Sequence, residues 1–285
     1  MKIFQMYSFQ IVLIGTVLLA ISASLIGSIN VYKNQSLIGD ALGHSTLPGI
    51  ILAYMLSLEK DPLILLIGAI CSSGLSYILI HYSSSKSKIG PDANMAIYLS
   101  GFFGFGLVLK SYIQGNPNFV GASKAGLDNY IFGQAAYLQK KDIYLILFAT
   151  IIVVLLIGIY YRDLKCYLFD KEYASLIGVD IKKLDILILF LTILVIGVGI
   201  KVVGVILISS LMIIPIVSAS KVTNNFLMLL TLSALFSVIG SIMGSLISTI
   251  YQGFSTGPTI ILCQGLISLM VIAYTKIKKG DKCHE

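Results

Sequence analysis

Apolar runs close to twenty residues long follow one another along nearly the whole chain, and most charges fall in the short connections between them. A helix crosses the hydrocarbon of a bilayer in about 20 residues, and it satisfies its own backbone hydrogen bonds while doing so. Candidate spans are 9–29, 37–58, 63–82, 93–112, 143–161, 186–200, 202–219, 226–250 and 257–275. The pair 186–200 and 202–219 is short on both sides of Lys201. It reads either as two spans with a tight turn or as one bent element. The expected fold is all-α: a polytopic membrane protein with eight to nine transmembrane helices, in one domain over residues 1–285, with no separate soluble domain.

Composition supports this reading. The chain is 57% hydrophobic and 12% charged, with a mean hydropathy of +0.94. A soluble domain carries about 25% charged residues, because its surface faces water. The surplus apolar surface here must face lipid. The net charge of +7 sits where cytoplasmic connections carry Lys and Arg. No basic stripe with interleaved aromatics exists, so nucleic acid is not an expected partner. Cys71, Cys166, Cys263 and Cys283 lack CxxC spacing, which argues against a disulfide framework. Phe9 to Ile29 is too long for a signal core and is read as the first span. The tail Cys283-His284-Glu285 has metal-ligand residue types, but their place at a terminus gives it no expected role.

Two connections are informative. Residues 113–142 contain Gly115, Pro117, Gly121, Gly126 and Gly133, which predict an irregular loop with room for a short helix over Leu127–Leu138. Residues 162–185 carry Arg162, Lys165, Lys171, Lys182 and Lys183, and the C-terminal segment carries Lys276, Lys278, Lys279 and Lys282. Both regions are expected in the cytoplasm. No GxxxxGK[ST] occurs, so the chain has no phosphate-cradling loop for ATP. The glycines of Gly101-Phe-Phe-Gly104-Phe-Gly106 lie in an apolar span and suggest helix packing through small residues.

The sharpest chemical feature is Gly39-Asp40-Ala41-Leu42-Gly43-His44-Ser45-Thr46-Leu47-Pro48-Gly49. Asp40 and His44 are one helical turn apart, about 6 Å along the axis, on one face. A carboxylate and an imidazole so placed can reach one divalent ion. Gly39 and Gly43 repeat the spacing on the adjacent face, a strip against which another helix can pack. Pro48 lacks an N–H and loosens the hydrogen-bond ladder one turn beyond His44. The competing reading is a packed histidine with Asp40 as an N-cap at the membrane surface. Ionisable residues at membrane depth are costly, which favours a functional pair. Two ligands hold an ion weakly, whereas a symmetric or pseudo-symmetric pair of chains supplies four. Carboxylate plus imidazole suits Mn²⁺, Fe²⁺ or Zn²⁺ better than Cu(I).

The second feature is Asp170-Lys171-Glu172-Tyr173-Ala174-Ser175-Leu176-Ile177-Gly178. Asp170 is a good N-cap, Glu172 suits the helix N-terminus and Gly178 is a natural stop. The helix is too short to cross a membrane. It is either an interfacial helix on lipid or a docking helix for a cytoplasmic partner. Third, Lys201 to Pro215 contains Ser209, Ser210 and Pro215, which can line a pathway or pack helices, with Lys201 reaching an interface. Fourth, Ser255-Thr256-Gly257-Pro258-Thr259 reads as a capped, proline-containing helix start.

These four stretches, in this order, resemble the permeases of the ABC-3 family of metal transporters. The matching strings are GDALGHSTLPG (39–49), DKEYASLIGV (170–179), KVVGVILISSLMIIPIVSAS (201–220) and STGPTIIL (255–262). The resemblance implies that Asp40 and His44 line the metal pathway. It also implies that Asp170, Glu172, Tyr173, Ala174, Leu176 and Gly178 belong to a coupling helix contacting an ATPase. Residues Ala125–Ala136 look like the manganese and iron subgroup rather than the zinc one. Gly43 departs from many relatives, which carry Ser before the His. The implied assembly is a second permease chain, identical or paralogous, a cytoplasmic ATP-binding subunit and an extracytoplasmic metal-binding protein, in a prokaryotic cell membrane. No permanent cofactor is implied, and the chain itself is not expected to be an enzyme. An ion-gradient-driven metal transporter, with Asp40 and His44 as a proton relay, is the alternative. An intramembrane metalloprotease is disfavoured by the lack of HExxH.

Overall fold

The computed structural model of the protein describes residues 7–58, 61–86, 88–116, 119, 138–251 and 254–281. These residues form α1 (Tyr7–Tyr32), α2 (Ile38–Ser57), α3 (Pro62–Lys86), α4 (Pro91–Gly115), α5 (Lys140–Ile159), α6 (Tyr161–Phe169), α7 (Lys171–Leu176), α8 (Ile181–Val203), α9 (Val205–Val222), α10 (Phe226–Ile250) and α11 (Thr256–Asp281), with no strand among them. The short helix expected over 127–138 and the segment 125–136 lie outside the described residues, Leu138 excepted. So does the tail 283–285.

Seven helices, α1, α3, α4, α5, α8, α10 and α11, are long and apolar enough to cross a bilayer. Helices α2 and α9 occupy the two other expected positions but fall short of that measure. Asp40, His44, Ser45 and Thr46 lower the hydropathy of α2, and α9 counts among the shorter apolar helices, over Leu207–Val222. Length and composition alone therefore do not reach eight to nine spans. The open question over 186–219 resolves into two helices joined at one residue, Gly204, at φ 80. That conformation is cheap for glycine and strained for any other residue. Lys201, expected between the two spans, falls within α8.

Helix α1 is the hub. Ala20, Ala23, Ile26 and Ile29 are fully buried along it, where α5, α8, α9 and α10 pack. Its small residues let neighbours come close. A Cβ on Gly27 would run into the backbone carbonyl of Met212 on α9. Polar side chains tie the apolar bundle across helices, with Ser28 and Ser233 3.0 Å apart and Asn30 Nδ2 donating to Thr192 Oγ1 at 3.0 Å. In lipid such pairs substitute for the hydrophobic drive that water supplies elsewhere. The outer faces of α5 and α11 expose Phe148, Leu262, Leu269 and Met270, as helices touching acyl chains do.

Helices α2, α3 and α4 form a second packed unit around Leu47, Ile51, Tyr54, Leu65 and Ile113. Gly49 and Gly68 allow α2 and α3 to touch backbone to backbone. Of the glycines at 101, 104 and 106, only Gly106 serves helix packing among the described residues. A Cβ there would lie 2.8 Å from Leu47, whereas Gly101 and Gly104 face open space. The small-residue reading of that string is thus corrected to one position.

At one end of the bundle an aromatic cluster gathers the tip of α1, helix α6 and the start of α10. Tyr32 packs on Phe169 at 5.6 Å and Tyr161 on Phe226 at 5.8 Å. Helix α6 is amphipathic, with Leu164 and Tyr167 buried and Arg162 and Lys165 exposed. It ends at Asp170, which begins α7 as its N-cap.

Candidate functional site

The turn between α1 and α2 is compact. The N–H groups of Lys33, Asn34 and Gln35 donate to Ile29, Val31 and Asn30, and Asn34 takes the left-handed conformation at φ 58. Helix α2 then begins at Ile38, with Leu37 at the N-cap and no side-chain cap. Asp40 is therefore not the N-cap but a residue of the first turn, half-buried, with its charge near the positive end of the helix dipole.

His44 follows one turn later and is also half-buried. Its ring meets Phe103 edge-on, with centroids 4.8 Å apart. Phe103 stands at the middle of α4. Beside it, Ser45 Oγ donates to Ser76 Oγ at 2.8 Å and the Ser45 carbonyl accepts from Ser72 Oγ at 2.6 Å, both from the middle of α3. The contacts place His44 beside the middle of α3 and α4, with Asp40 one helical turn nearer the start of α2. Among the described residues, no hydrogen bond or ion pair engages either side chain, nor does a third His, Cys, Asp or Glu join them in a cluster. The donor set of one chain is thus one carboxylate and one imidazole, enough to touch a divalent ion and too little to hold it tightly.

Two further features shape this locus. Pro48 is buried inside α2 and the helix continues through it. Lacking an N–H, it leaves the His44 carbonyl without its usual helical donor. Gly39 faces α9, where an added Cβ would lie 3.2 Å from Met212 Sδ and 3.6 Å from the Cα of Ser209. Gly39 and Ser209 therefore face each other where α2 meets α9. Gly43 and Pro215 are buried in α2 and α9.

The residues expected in a coupling helix form a separate locus at the end of the bundle. Asp170 Oδ1 accepts from Tyr173 N at 2.8 Å, and Gly178 stops the segment at φ 85, as the spacing predicts. Leu176 is 85% exposed and Tyr173, Ile177 and Phe169 are exposed beside it. Ala174 is fully buried against the bundle, so it faces inward and not outward with Leu176. Glu172 is exposed. A cleft of about 410 Å³ lies behind α7, lined by Tyr160, Arg162, Asp163, Tyr173, Asp180 and Lys183 among others.

Sequence reasoning did not find Phe103, Ser72, Ser76 or Met212. It also missed the ion pair of Lys33 with Asp185, 2.6 Å apart, and the Tyr167 hydroxyl that donates to the same carboxylate oxygen at 2.6 Å. The signal available was the charge itself: Asp185 is acidic at the end of a basic connection where an apolar run begins, and Lys33 is basic at a span's end.

Comparison with known proteins bears on all of this. Residues 5–275 match the ABC 3 transport family. The chain is 36% identical over 272 residues to the zinc transport system membrane protein TroC of Treponema pallidum, covering 95% of this chain and 90% of that one. It is 34% identical to the manganese transport system membrane protein MntC of Bacillus subtilis, covering 91% of this chain and 59% of that one. It is 30% identical to the chelated iron transport system membrane protein YfeD of Yersinia pestis, covering 94% and 86%. Among solved structures, PsaBC from Streptococcus pneumoniae in complex with Fab superposes with a TM-score of 0.82 at 27% identity, covering 97% of this chain and 98% of that one. A match along nearly the full length, with the same helical architecture, establishes that this chain is a member of the ABC 3 transport family.

Proposed function

We propose that this chain is the membrane-spanning permease subunit of an ATP-driven importer of divalent transition metal ions, with manganese favoured and zinc or iron as the other candidates. The observation that carries the proposal is the Asp40–His44 pair, half-buried and one turn apart on α2, with His44 against Phe103 of α4, on a chain whose relatives are named for zinc, manganese and iron transport. The chain has no phosphate loop, so ATP hydrolysis falls to a cytoplasmic subunit that docks on α7. An extracytoplasmic binding protein delivers the ion, and a second permease chain supplies another Asp and His to complete a transit site. In this reading α2 and α9 also cross the membrane, giving nine spans in one permease domain. The pair binds only moderately, which suits a site that must release its ion.

The test is uptake of radioactive Mn²⁺ into proteoliposomes that hold the permease with its ATPase, with the metal-binding protein supplied outside. Uptake should require internal ATP and survive an uncoupler, and Asp40→Ala or His44→Ala should abolish it with the protein still folded. Uptake that collapses with the proton gradient while ATP remains would transfer the reading to a gradient-driven carrier. Undiminished uptake by a well-folded Asp40→Ala variant would remove the site.

A further inference from the structure

Between the two loci runs a polar relay whose inner members, Tyr167, Asp185 and Lys33, are largely buried. Lys171, the first residue of α7, holds its ammonium 5.8 Å from the ring centre of Tyr167 on α6. The Tyr167 hydroxyl donates to Asp185 Oδ1 on α8 at 2.6 Å, and the same oxygen lies 2.6 Å from Lys33 Nζ. Lys33 closes α1 and opens the tight turn into α2, which carries Asp40 and His44. A second pin, Asn30 to Thr192, fixes the same end of α1 to α8. Helices α7, α6 and α8 and the end of α1 thus meet through four side chains, and the turn that follows is bonded back onto α1.

Stability alone does not account for this arrangement. The side chains of Lys33 and Asp185 are only 12% and 21% exposed, and Tyr167 is 5% exposed. Lys33 Nζ is buried with the carboxylate in ion-pair range, yet among the described residues it makes no hydrogen bond in good geometry. Buried ion pairs commonly cost as much in desolvation as they return, and apolar replacements of the same volume do as well. What such a pair does supply is a directional link between elements that would otherwise slide on apolar contacts.

We propose that Lys33, Asp185 and Tyr167 are positioning residues that transmit movement of α7 to the start of α2, and so link ATP turnover to the state of the Asp40–His44 site. This deepens the functional reading above and rests on it. None of the three touches the ion. They act by making the α6–α8 segment and the α1–α2 turn move as one body.

The experiment measures ATP hydrolysed per Mn²⁺ ion imported, in proteoliposomes of the permease with its ATPase and with the metal-binding protein supplied outside, for the native chain and for Lys33→Met, Asp185→Asn and Tyr167→Phe. Native ATP-driven uptake is the control for the functional reading; its absence refutes that reading and, with it, the coupling role proposed here. Given native uptake, Lys33→Met and Asp185→Asn should raise the ratio roughly 5-fold or more, hydrolysis continuing while import fails. Tyr167→Phe, which deletes one hydroxyl, should raise it about 2-fold. The exchange Lys33→Asp with Asp185→Lys should restore part of the loss. A ratio equal to the native one, whether both activities persist or both fall together, overturns the proposal. If the charge variants do not yield folded complex, Tyr167→Phe decides by the same ratio.

Discussion

The imidazole of His44 rests edge-on against the ring of Phe103, 4.8 Å from centroid to centroid, so the side chain proposed to touch the ion is oriented by α4 and not by its own helix alone. An edge-to-face aromatic pair is worth about 0.5–1.5 kcal/mol beyond its buried area. Phe103→Ala should therefore weaken Mn²⁺ binding by the purified permease by roughly 2- to 10-fold, through loss of orientation. Phe103→Tyr, which keeps the ring, should bind within about 2-fold of the native protein. Titration calorimetry on the two variants checks the pair of outcomes.

The contact between α2 and α3 makes a stability prediction that sequence patterning alone does not. A Cβ on Gly49 would fall inside the carbonyl of Gly68, and backbone cannot yield as a flexible side chain can. Gly49→Val should destabilise the protein by about 1–3 kcal/mol and lower its thermal midpoint in detergent. Gly104→Ala, in open space on α4, should leave the midpoint unchanged or raise it slightly, because alanine favours the helix by about 1 kcal/mol. Equal effects from the two substitutions would contradict the packing described.

The contrast shows what was legible beforehand and why. Hydropathy revealed the helices, because span length is set by bilayer thickness and not by tertiary detail. Asp40 and His44 stood out because charge and imidazole are expensive in an apolar run. Phe103, Ser72 and Ser76 did not, since aromatics and serines occur in many of these spans and nothing local marks the ones that turn toward His44. The glycines at 101 and 104 looked like packing residues, but which face of a helix meets a neighbour is decided by the whole bundle. Lys33 and Asp185 are far apart in sequence, and only the juxtaposition of α1 with α8 makes them a pair.

Leu176 is 85% exposed on a six-residue helix whose inner face is sealed by Ala174. A large apolar side chain presented this way fits a pocket on a partner, and such anchors carry a disproportionate share of interface energy. Leu176→Asp should reduce copurification of the ATPase subunit by about 10-fold or more. Glu172→Gln, with Glu172 exposed beside it, should reduce copurification by less than about 3-fold. Pull-down with quantification of both subunits measures this. Undiminished recovery with Leu176→Asp would show that α7 rests on lipid.

Tyr167 gives a pH prediction whose sign follows from its surroundings. Burial, then the hydrogen bond to Asp185 and the negative charge behind it, push the phenol above its ordinary value of 10.0. The folded protein therefore keeps the proton in alkali that removes it from the unfolded chain. Stability from this hydroxyl is complete below the ordinary value and declines only as pH rises beyond it toward the folded value. The decline follows a limiting slope of about 1.4 kcal/mol per pH unit. The stability difference between the native protein and Tyr167→Phe should accordingly be flat from about pH 7 to 9 and shrink above about pH 10. Chemical denaturation in detergent across that range follows the difference. A gap that already closes between pH 7 and 9 would mean that the hydroxyl is not held against Asp185 as described.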